Sequence, residues 1–434
     1  MKPQYWFRWL TMQGMLRMAV RKQARGGDPL AQLLGGAGRP ADSFALIDQL
    51  RSQGRVARVP VGKFTADHEL TRIVLRDNHF GKVPVAGTGG KMAALTAVLA
   101  RRIPLPANPV EAPSMLVIDP PEHSRMRRPV TSAFTPRATA RLRERVEAVT
   151  TELLDAFPAN GSADLVESFA AQVPSAIITD MLGFPQADRA MFLEWGDHIA
   201  PLLDIGLDWR SFRRAFAAQD RMDVYLDTHL QRLRREPGED ILSSLVTSGD
   251  LDDRELKATA GLLMAAGFET TVNLIGNCVV RLLENPDQLE RLRAEPGLWP
   301  NAIEESLRLD APVQTTARLV LEPFELGDVA LREGSLVVVS LAGANRDPAV
   351  FEDPHRFDVA RENAKDHLSF SSGIHVCLGA SLARMEATHA VRALFERFPE
   401  LRLEGEPKRR ETYTLHGYER LPVRLGRAAE TSVS

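Results

Sequence analysis

Apolar residues recur at three- and four-residue steps along most of the chain. ARLRERVEAVTTELLDAF (140–157) and ATHAVRALFERF (387–398) are examples, and both predict amphipathic helices. One stretch departs from that stripe pattern. LDDRELKATAGLLMAAGFETTVNLIGNCVVRLLEN (251–285) is apolar nearly all round, which predicts a helix buried on every side. Asp252 is placed to cap it, Glu255 three residues on completes a capping box, and Pro286 ends it. A helix of about 30 residues spans roughly 45 Å, enough to cross a whole domain.

Strand-like pieces are short and fall in two places. VARVPVG (56–62) and FTADHELTRIVL (64–75) lie near the start, ARLVLEPFEL (317–326) and SLVVVSLAGAN (335–345) much later. No repeat and no Pro/Gly/Ser-rich linker divides the chain. The expected architecture is mainly α with small β-sheets in one large domain, residues 40–434, preceded by a helical N-terminal extension, residues 1–39. That extension, MKPQYWFRWLTMQGMLRMAVRKQARGG onward, mixes aromatics, Met and Arg and reads as a helix packed on the body, with an interfacial helix as the alternative.

Composition narrows the class. The net charge is −3 over 434 residues, which gives no case for nucleic acid. Two cysteines, Cys278 and Cys377, cannot make a disulfide framework and fit a reducing compartment. No run of about 18 apolar residues occurs, so no transmembrane segment is expected.

The chemistry concentrates in HLSFSSGIHVCLGASLARME (367–386). Cys377 stands just ahead of a strong helix former, where free N–H groups and the helix dipole favour a thiolate. Gly373 and Gly379 let the backbone pass close to something bulky, and His375 offers a polar head two residues away. An iron–thiolate bond suits this arrangement. A lone cysteine is more often a small buried hydrophobe. A zinc site would want more ligands nearby, and a cysteine hydrolase would need a distant His. On residue type alone those readings stay open.

Longer matches change the weighting. FSSGIHVCLG (370–379) resembles the haem-binding signature of the cytochrome P-450 family, with Phe370, Gly373, His375, Cys377 and Gly379 at its fixed places and Ser371 where Gly is commoner. AGFETT (266–271) resembles the family's oxygen-activating helix motif. EESLR (304–308) matches the Glu-x-x-Arg pair, and ANRDPAVFEDPHRFDVAR (344–361) the meander before the haem loop. DPPEHSRMRR (119–128) and TTARLV (315–320) match the propionate-binding segments. The likeness covers roughly residues 40–425, closest to soluble actinobacterial members.

The resemblance implies a fold with the long helix over the haem. It implies haem b bound through the Cys377 thiolate, with Phe370, Gly379 and Ala266 beside it and His123, Arg127, Arg318 and His375 on its propionates. Thr270 would be the hydrogen-bonding alcohol and Glu269 part of proton delivery. A polar Glu-Thr pair inside an apolar helix is costly unless satisfied, and the Thr270 hydroxyl can reach the Ala266 carbonyl four residues back, bending the helix. Glu305, Arg308 and Arg361 would form a buried structural ion triad. The expected activity is insertion of one oxygen atom from O2 into a lipophilic small molecule, with NAD(P)H electrons arriving through a ferredoxin reductase and a ferredoxin. Arg125, Arg128 and Arg384 would supply positive charge for that docking, in the cytoplasm. Phe268, Val313, Thr315, Leu202 and Leu415 are expected to line the substrate pocket. The segment 190–216 would roof it, and the Gly/Ala/Pro-rich loop 81–113 would be its lid. A hydrogen-peroxide-driven peroxygenase and a non-catalytic haem sensor or carrier are the rival readings.

Overall fold

The computed structural model describes residues 3–35, 43–83, 109–158, 160–204 and 206–429. Its axis is the long helix Asp253–Glu284. Eleven helices carry the argument and are numbered in chain order: α1 (Pro3–Trp9), α2 (Met15–Arg25), α3 (His68–Arg76), α4 (Glu122–Thr131), α5 (Arg143–Asp155), α6 (Gln172–Met181), α7 (Arg189–Ile199), α8 (Trp209–Arg235), α9 (Asp253–Glu284), α10 (Trp299–Leu309) and α11 (Ala380–Arg397).

Helix α9 starts where its sequence says it should. The Asp252 carboxylate accepts the Glu255 N–H at 2.8 Å, and Glu255 reaches back to the Asp252 N–H at 3.1 Å. Apolar side chains leave it on all sides, and helices α6, α7, α10 and α11 pack around it. By length and composition α9 could cross a membrane, but 83% of its most apolar window is buried inside the protein. It is a core helix.

The main sheet has five strands in the spatial order β1-β2-β8-β5-β3: β1 (Ala57–Val59), β2 (Gly62–Thr65), β3 (Phe80–Gly81), β5 (Thr315–Val320) and β8 (Leu336–Ser340). Only β2 and β8 run parallel, and Lys63 faces Val337 across them. The remaining strands form three small sheets: β4 (Ser162–Asp164) with β12 (Pro422–Arg424) and β9 (Arg402–Leu403), β6 (Phe324–Leu326) with β7 (Val329–Leu331), and β10 (Lys408–Arg409) with β11 (Tyr418–Arg420).

One sequence reading fails here. FTADHELTRIVL is strand only through Thr65; His68–Arg76 is helix α3. Asp67 caps it by accepting the Leu70 N–H at 2.9 Å, and Leu70, Thr71, Val74 and Leu75 share its buried face. The cap and that stripe outweigh the β-branched composition.

The first described residues form α1 and α2, with a single π turn (Leu10–Gly14) between them. This segment docks on the link between α7 and α8. The Trp9 indole N–H donates to the Leu207 carbonyl at 2.8 Å, and Gln13 Oε1 accepts the Gly206 and Leu207 N–H groups. From the other side, Asp204 accepts the Tyr413 and Thr414 N–H groups, each at 2.5 Å.

Candidate active site around Cys377

Cys377 closes a short loop between a 3₁₀ turn (Gly373–His375) and α11. Its own N–H donates to the Phe370 carbonyl at 2.8 Å, which fixes the loop's width. Gly373 is required on two counts: its φ is +71°, and a Cβ there would meet the Leu75 carbonyl oxygen at 2.6 Å. The sulfur is accessible by surface area, yet surrounding protein raises the thiol pKa by burial. Both hold for a side chain facing internal space rather than bulk water. The Gly379 N–H bonded to sulfur, Arg127 and Arg384 pull that pKa down. Arg127 is held by donating to the Val376 carbonyl at 2.5 Å. The Arg384 guanidinium lies 4.5 Å over the Phe370 ring and pairs with Glu304. No group of three or more His, Cys, Asp or Glu able to hold a metal ion occurs among the described residues, so Cys377 has no zinc-type companions.

Beside the loop sit five basic side chains: Lys82, His123, Arg127, Arg318 and His375. The His123 and His375 rings lie 4.2 Å apart between centroids. Both His123 ring nitrogens and His375 Nε2 are buried without a hydrogen-bond partner. Burial depresses the whole group, and for Lys82, His123 and His375 the neighbouring cations add to it. Lys82 falls to about 7, by burial first and Arg318 second. Arg318 falls to about 10 by burial. His375 falls to about 2, by burial and then Lys82 and its neighbours. One carboxylate, Asp119, opposes them; it accepts the Lys82 N–H and lies 3.9 Å from His375 Nε2. Such a cluster seeks anions. Lys82 was missed by sequence reasoning: one lysine after a two-residue strand carries no signal of its own.

Above, on α9, the Thr270 hydroxyl donates to the Ala266 carbonyl at 2.7 Å and Thr271 donates to the Gly267 carbonyl at 3.1 Å. The helix assignment runs unbroken through this pair. Gly267 faces Ile178, and a Cβ there would make only ordinary contact at 3.4 Å. Glu269 is completely buried. Its Oε1 lies 2.8 Å from Arg410 Nε, at an angle too poor for a hydrogen bond despite the distance. Arg410 Nη1 donates to Asp197 on α7 at 2.9 Å, and the Asp197 side chain reaches the surface. Burial lifts the Glu269 carboxyl to about 7, with Arg410 pulling it down and Asp197 pushing it up. Arg410 and Asp197 were also missed, because neither belongs to a local motif.

On α10, Glu305 is gripped bidentately by Arg308, at 2.6 and 2.8 Å, and Arg361 Nε donates to its Oε1 at 3.2 Å. Arg308 also donates to the Asn345, Pro354 and Arg356 carbonyls, so both ends of the pair are satisfied.

The five pocket candidates lie as follows. Phe268 fills the notch over Gly196 of α7, where a Cβ would meet its ring at 2.7 Å, so it is packing between helices. Leu202 belongs to the core cluster of the α7–α8 region. Val313 and Leu415 face each other in an isolated β-bridge, and Thr315 opens β5. The lid loop falls largely on residues 84–108, and Ile205 of the roof is a single position; both lie outside the described residues. The expected basic docking face is weaker than its sequence, because Arg125 pairs with Glu255 and Arg384 with Glu304, leaving Arg128 without an ion pair among the described residues.

A helix-rich fold, a cysteine loop at the start of α11, a cluster of basic side chains beside it and a Glu-Thr pair in the buried helix α9 are features that a haem-thiolate protein requires. The comparisons agree. The Cytochrome P450 family profile matches residues 106–296 and 298–417. The chain is 43% identical over 429 residues to a putative cytochrome P450 140 of Mycobacterium tuberculosis, covering 97% of each. It is 42% identical over 322 residues to 6-deoxyerythronolide B hydroxylase of Saccharopolyspora erythraea, covering 72% of this chain and 78% of the other. The crystal structure of Mycobacterium smegmatis CYP164A2 superposes with a TM-score of 0.81 at 34% identity, over 91% of this chain and 99% of the other. The chain belongs to the cytochrome P450 family and is an oxidoreductase of the monooxygenase kind.

Haem and O2 use are family properties, and the residues present fit the group. The orphaned His123 and His375 nitrogens and the uncompensated charge of Lys82, Arg127 and Arg318 suit two propionates. The Cys377 sulfur, with the Gly379 N–H bonded to it and the charges of Arg127 and Arg384 nearby, suits an iron ligand.

Proposed function

We propose that this chain is an external monooxygenase that hydroxylates or epoxidises a lipophilic small molecule, using haem b and electrons passed from NAD(P)H through a ferredoxin reductase and a ferredoxin in the cytoplasm. The observation that carries this reading is the pairing on α9: a threonine whose hydroxyl is already committed to Ala266, beside a buried acid that titrates near neutrality.

Bound at Cys377, the haem supplies O2 binding and oxygen transfer. The protein does the rest. Thr270 donates its own proton to Ala266, so its oxygen is left as an acceptor that holds a water or hydroxyl donor in place. Burial lifts the Glu269 carboxyl toward neutrality, which suits a group that must both give and take a proton. Arg410 and Asp197 connect that carboxyl to solvent at α7. Cys377, Arg127, Arg318, His123 and His375 hold the cofactor, with Lys82 added to the set. Glu305, Arg308 and Arg361 brace the meander behind the loop. Exposed Ile374 and Val376 on the cysteine loop, with Arg128, form the face offered to the ferredoxin.

The relative named 6-deoxyerythronolide B hydroxylase acts on a small organic molecule by its name, which supports a small-molecule substrate here. The test is a compound library screened for substrate-induced spin-state shifts. Hits are then turned over with NAD(P)H, a ferredoxin reductase and a ferredoxin. Product matched to NAD(P)H consumption supports the reading. Turnover with hydrogen peroxide alone would favour a peroxygenase, and ligand binding without turnover would favour a sensor or carrier.

A further inference from the structure

We propose that the N-terminal helices and the first turns of α8 form a docking face for an anionic membrane surface, which seats the enzyme with its α7–α8 roof toward the lipid. Residues 1–27 contain six Lys or Arg and no Asp or Glu, in a chain whose net charge is −3. The excess is therefore local. On α2, Met15, Met18, Lys22 and Arg25 follow at steps of three, four and three, and all are exposed, as is Arg21. Met18 is 60% exposed, Met15 48%, and Trp6 on α1 49%. Large apolar side chains held out among cations are what an interfacial surface needs: the cations meet headgroups and the apolar tips enter the boundary below them.

This surface is fixed to the body. Tyr5 donates to Asp220 on α8 at 2.9 Å, Arg8 pairs with Glu111, and Arg17 donates to the Gly206 carbonyl at 2.7 Å. The Trp9 and Trp209 rings lie 5.7 Å apart. Beside it α8 adds exposed Arg210, Arg213 and Arg214. None of Arg21, Lys22, Arg25, Arg210, Arg213 or Arg214 has an ion-pair partner among the described residues. The nearby carboxylates are engaged elsewhere. Glu111 holds Arg8, Asp220 holds Tyr5, Asp208 caps Ser211, and Asp204 accepts the Tyr413 and Thr414 N–H groups. These four carboxylates keep their charge, but Arg8, Arg17, Arg21, Lys22, Arg25, Arg210, Arg213 and Arg214 outnumber them, so the face is net positive.

A lipid surface fits better than an acidic protein partner, because the apolar residues protrude singly. Trp6, Met15 and Met18 each stand out from the surface as separate exposed side chains. They suit a medium that flows around them. The face lies directly over the link between α7 and α8, so a lipophilic molecule dissolved in a bilayer would be delivered beside the roof.

The experiment is co-sedimentation of the full-length holoenzyme with vesicles. One set is phosphatidylcholine alone and the other contains one-third phosphatidylglycerol, each at low and high salt. We expect partition into the anionic vesicles only, weakened by salt. Each cation removed lowers the partition constant about fivefold. R21E/K22E/R25E should abolish binding, and W6S/M15S/M18S should weaken it while keeping the salt dependence. Arg128→Glu, on the cysteine-loop face, should leave it unchanged. All these side chains are at the surface, and an unaltered haem spectrum confirms the fold of each variant. Equal partition into both vesicle types, no partition, unchanged binding by R21E/K22E/R25E, or preference for a soluble acidic protein over anionic vesicles overturns the proposal.

Discussion

Arg410 Nε stands 2.8 Å from Glu269 Oε1, and the pair joins the buried middle of α9 to a residue on the C-terminal hairpin. The guanidinium limits how far burial can lift the carboxyl, and the result lies near neutrality instead of far above it.

The first prediction follows from that shift. Glu269 moves from an ordinary 4.5 up to about 7 in the folded protein, chiefly by burial. The folded state therefore holds the proton more tightly than the unfolded chain. Its contribution to stability is complete below pH 4.5 and is lost as pH rises through about 7. Glu269→Gln should gain thermal stability relative to the parent across that window and show no gain at low pH. Melting curves of both proteins from pH 4 to pH 8 measure it. Glu386, also raised by burial, is common to both and cancels.

The cationic cluster gives a prediction with two opposite signs. Arg318→Leu or Lys82→Met removes repulsion among Lys82, His123, Arg127, Arg318 and His375, so the haem-free protein should become more stable. The same change removes a charge-assisted donor to the propionates and should speed haem loss about tenfold. Thermal melting of the apoprotein and haem transfer to an acceptor globin read the two effects separately. An apoprotein destabilised by either substitution would show that these side chains serve packing and not anion binding.

The ion network on α10 separates two grades of damage. Arg308→Leu leaves Glu305 charged, buried and without its bidentate partner, which costs about 3–5 kcal/mol. Arg361→Ala removes the longer 3.2 Å contact to Glu305 and the part-exposed bonds to the Glu352, Asp353 and Arg356 carbonyls, but Arg308 stays in place and Glu305 keeps its bidentate partner, so the loss should be smaller. Urea unfolding of the two variants gives the order.

How much of this was legible beforehand depends on what each feature rests on. Helix α9 declares itself, since an unbroken apolar circumference with Asp252 and Glu255 at its start has one stable solution. The Cys377 loop is also readable, because Gly373 is demanded by its positive φ and by the Leu75 carbonyl, although Gly379, with nothing nearer than 4.0 Å to a Cβ, is not. Helix α3 was misread because Thr71, Ile73 and Val74 speak for a strand, while the decisive Asp67 cap is a single hydrogen bond. Lys82, Asp197 and Arg410 were invisible for another reason. Each acquires its meaning from partners distant in sequence, and local pattern carries no record of them. The packing of Phe268 against Gly196 was hidden for the same reason, since only the fold reveals that vacant Cβ position.

Thr270 supplies the sharpest test of the proposed chemistry. Its hydroxyl proton is spent on the Ala266 carbonyl at 2.7 Å, so its oxygen can only accept. Thr270→Ala removes the acceptor that would hold a proton donor near the reacting oxygen, and leaves the Ala266 carbonyl with its ordinary helical bond. Structure, haem content and substrate-induced spin shift should be unchanged. Product formed per NAD(P)H should fall about tenfold, with hydrogen peroxide released in its place. Thr270→Ser retains the hydroxyl and should recover most of the coupling, whereas Thr270→Val, which matches the shape without the oxygen, should not. Measured peroxide and product from the same reactions decide it: equal coupling in the threonine and valine forms would remove Thr270 from the proton path and leave it as a packing residue of α9.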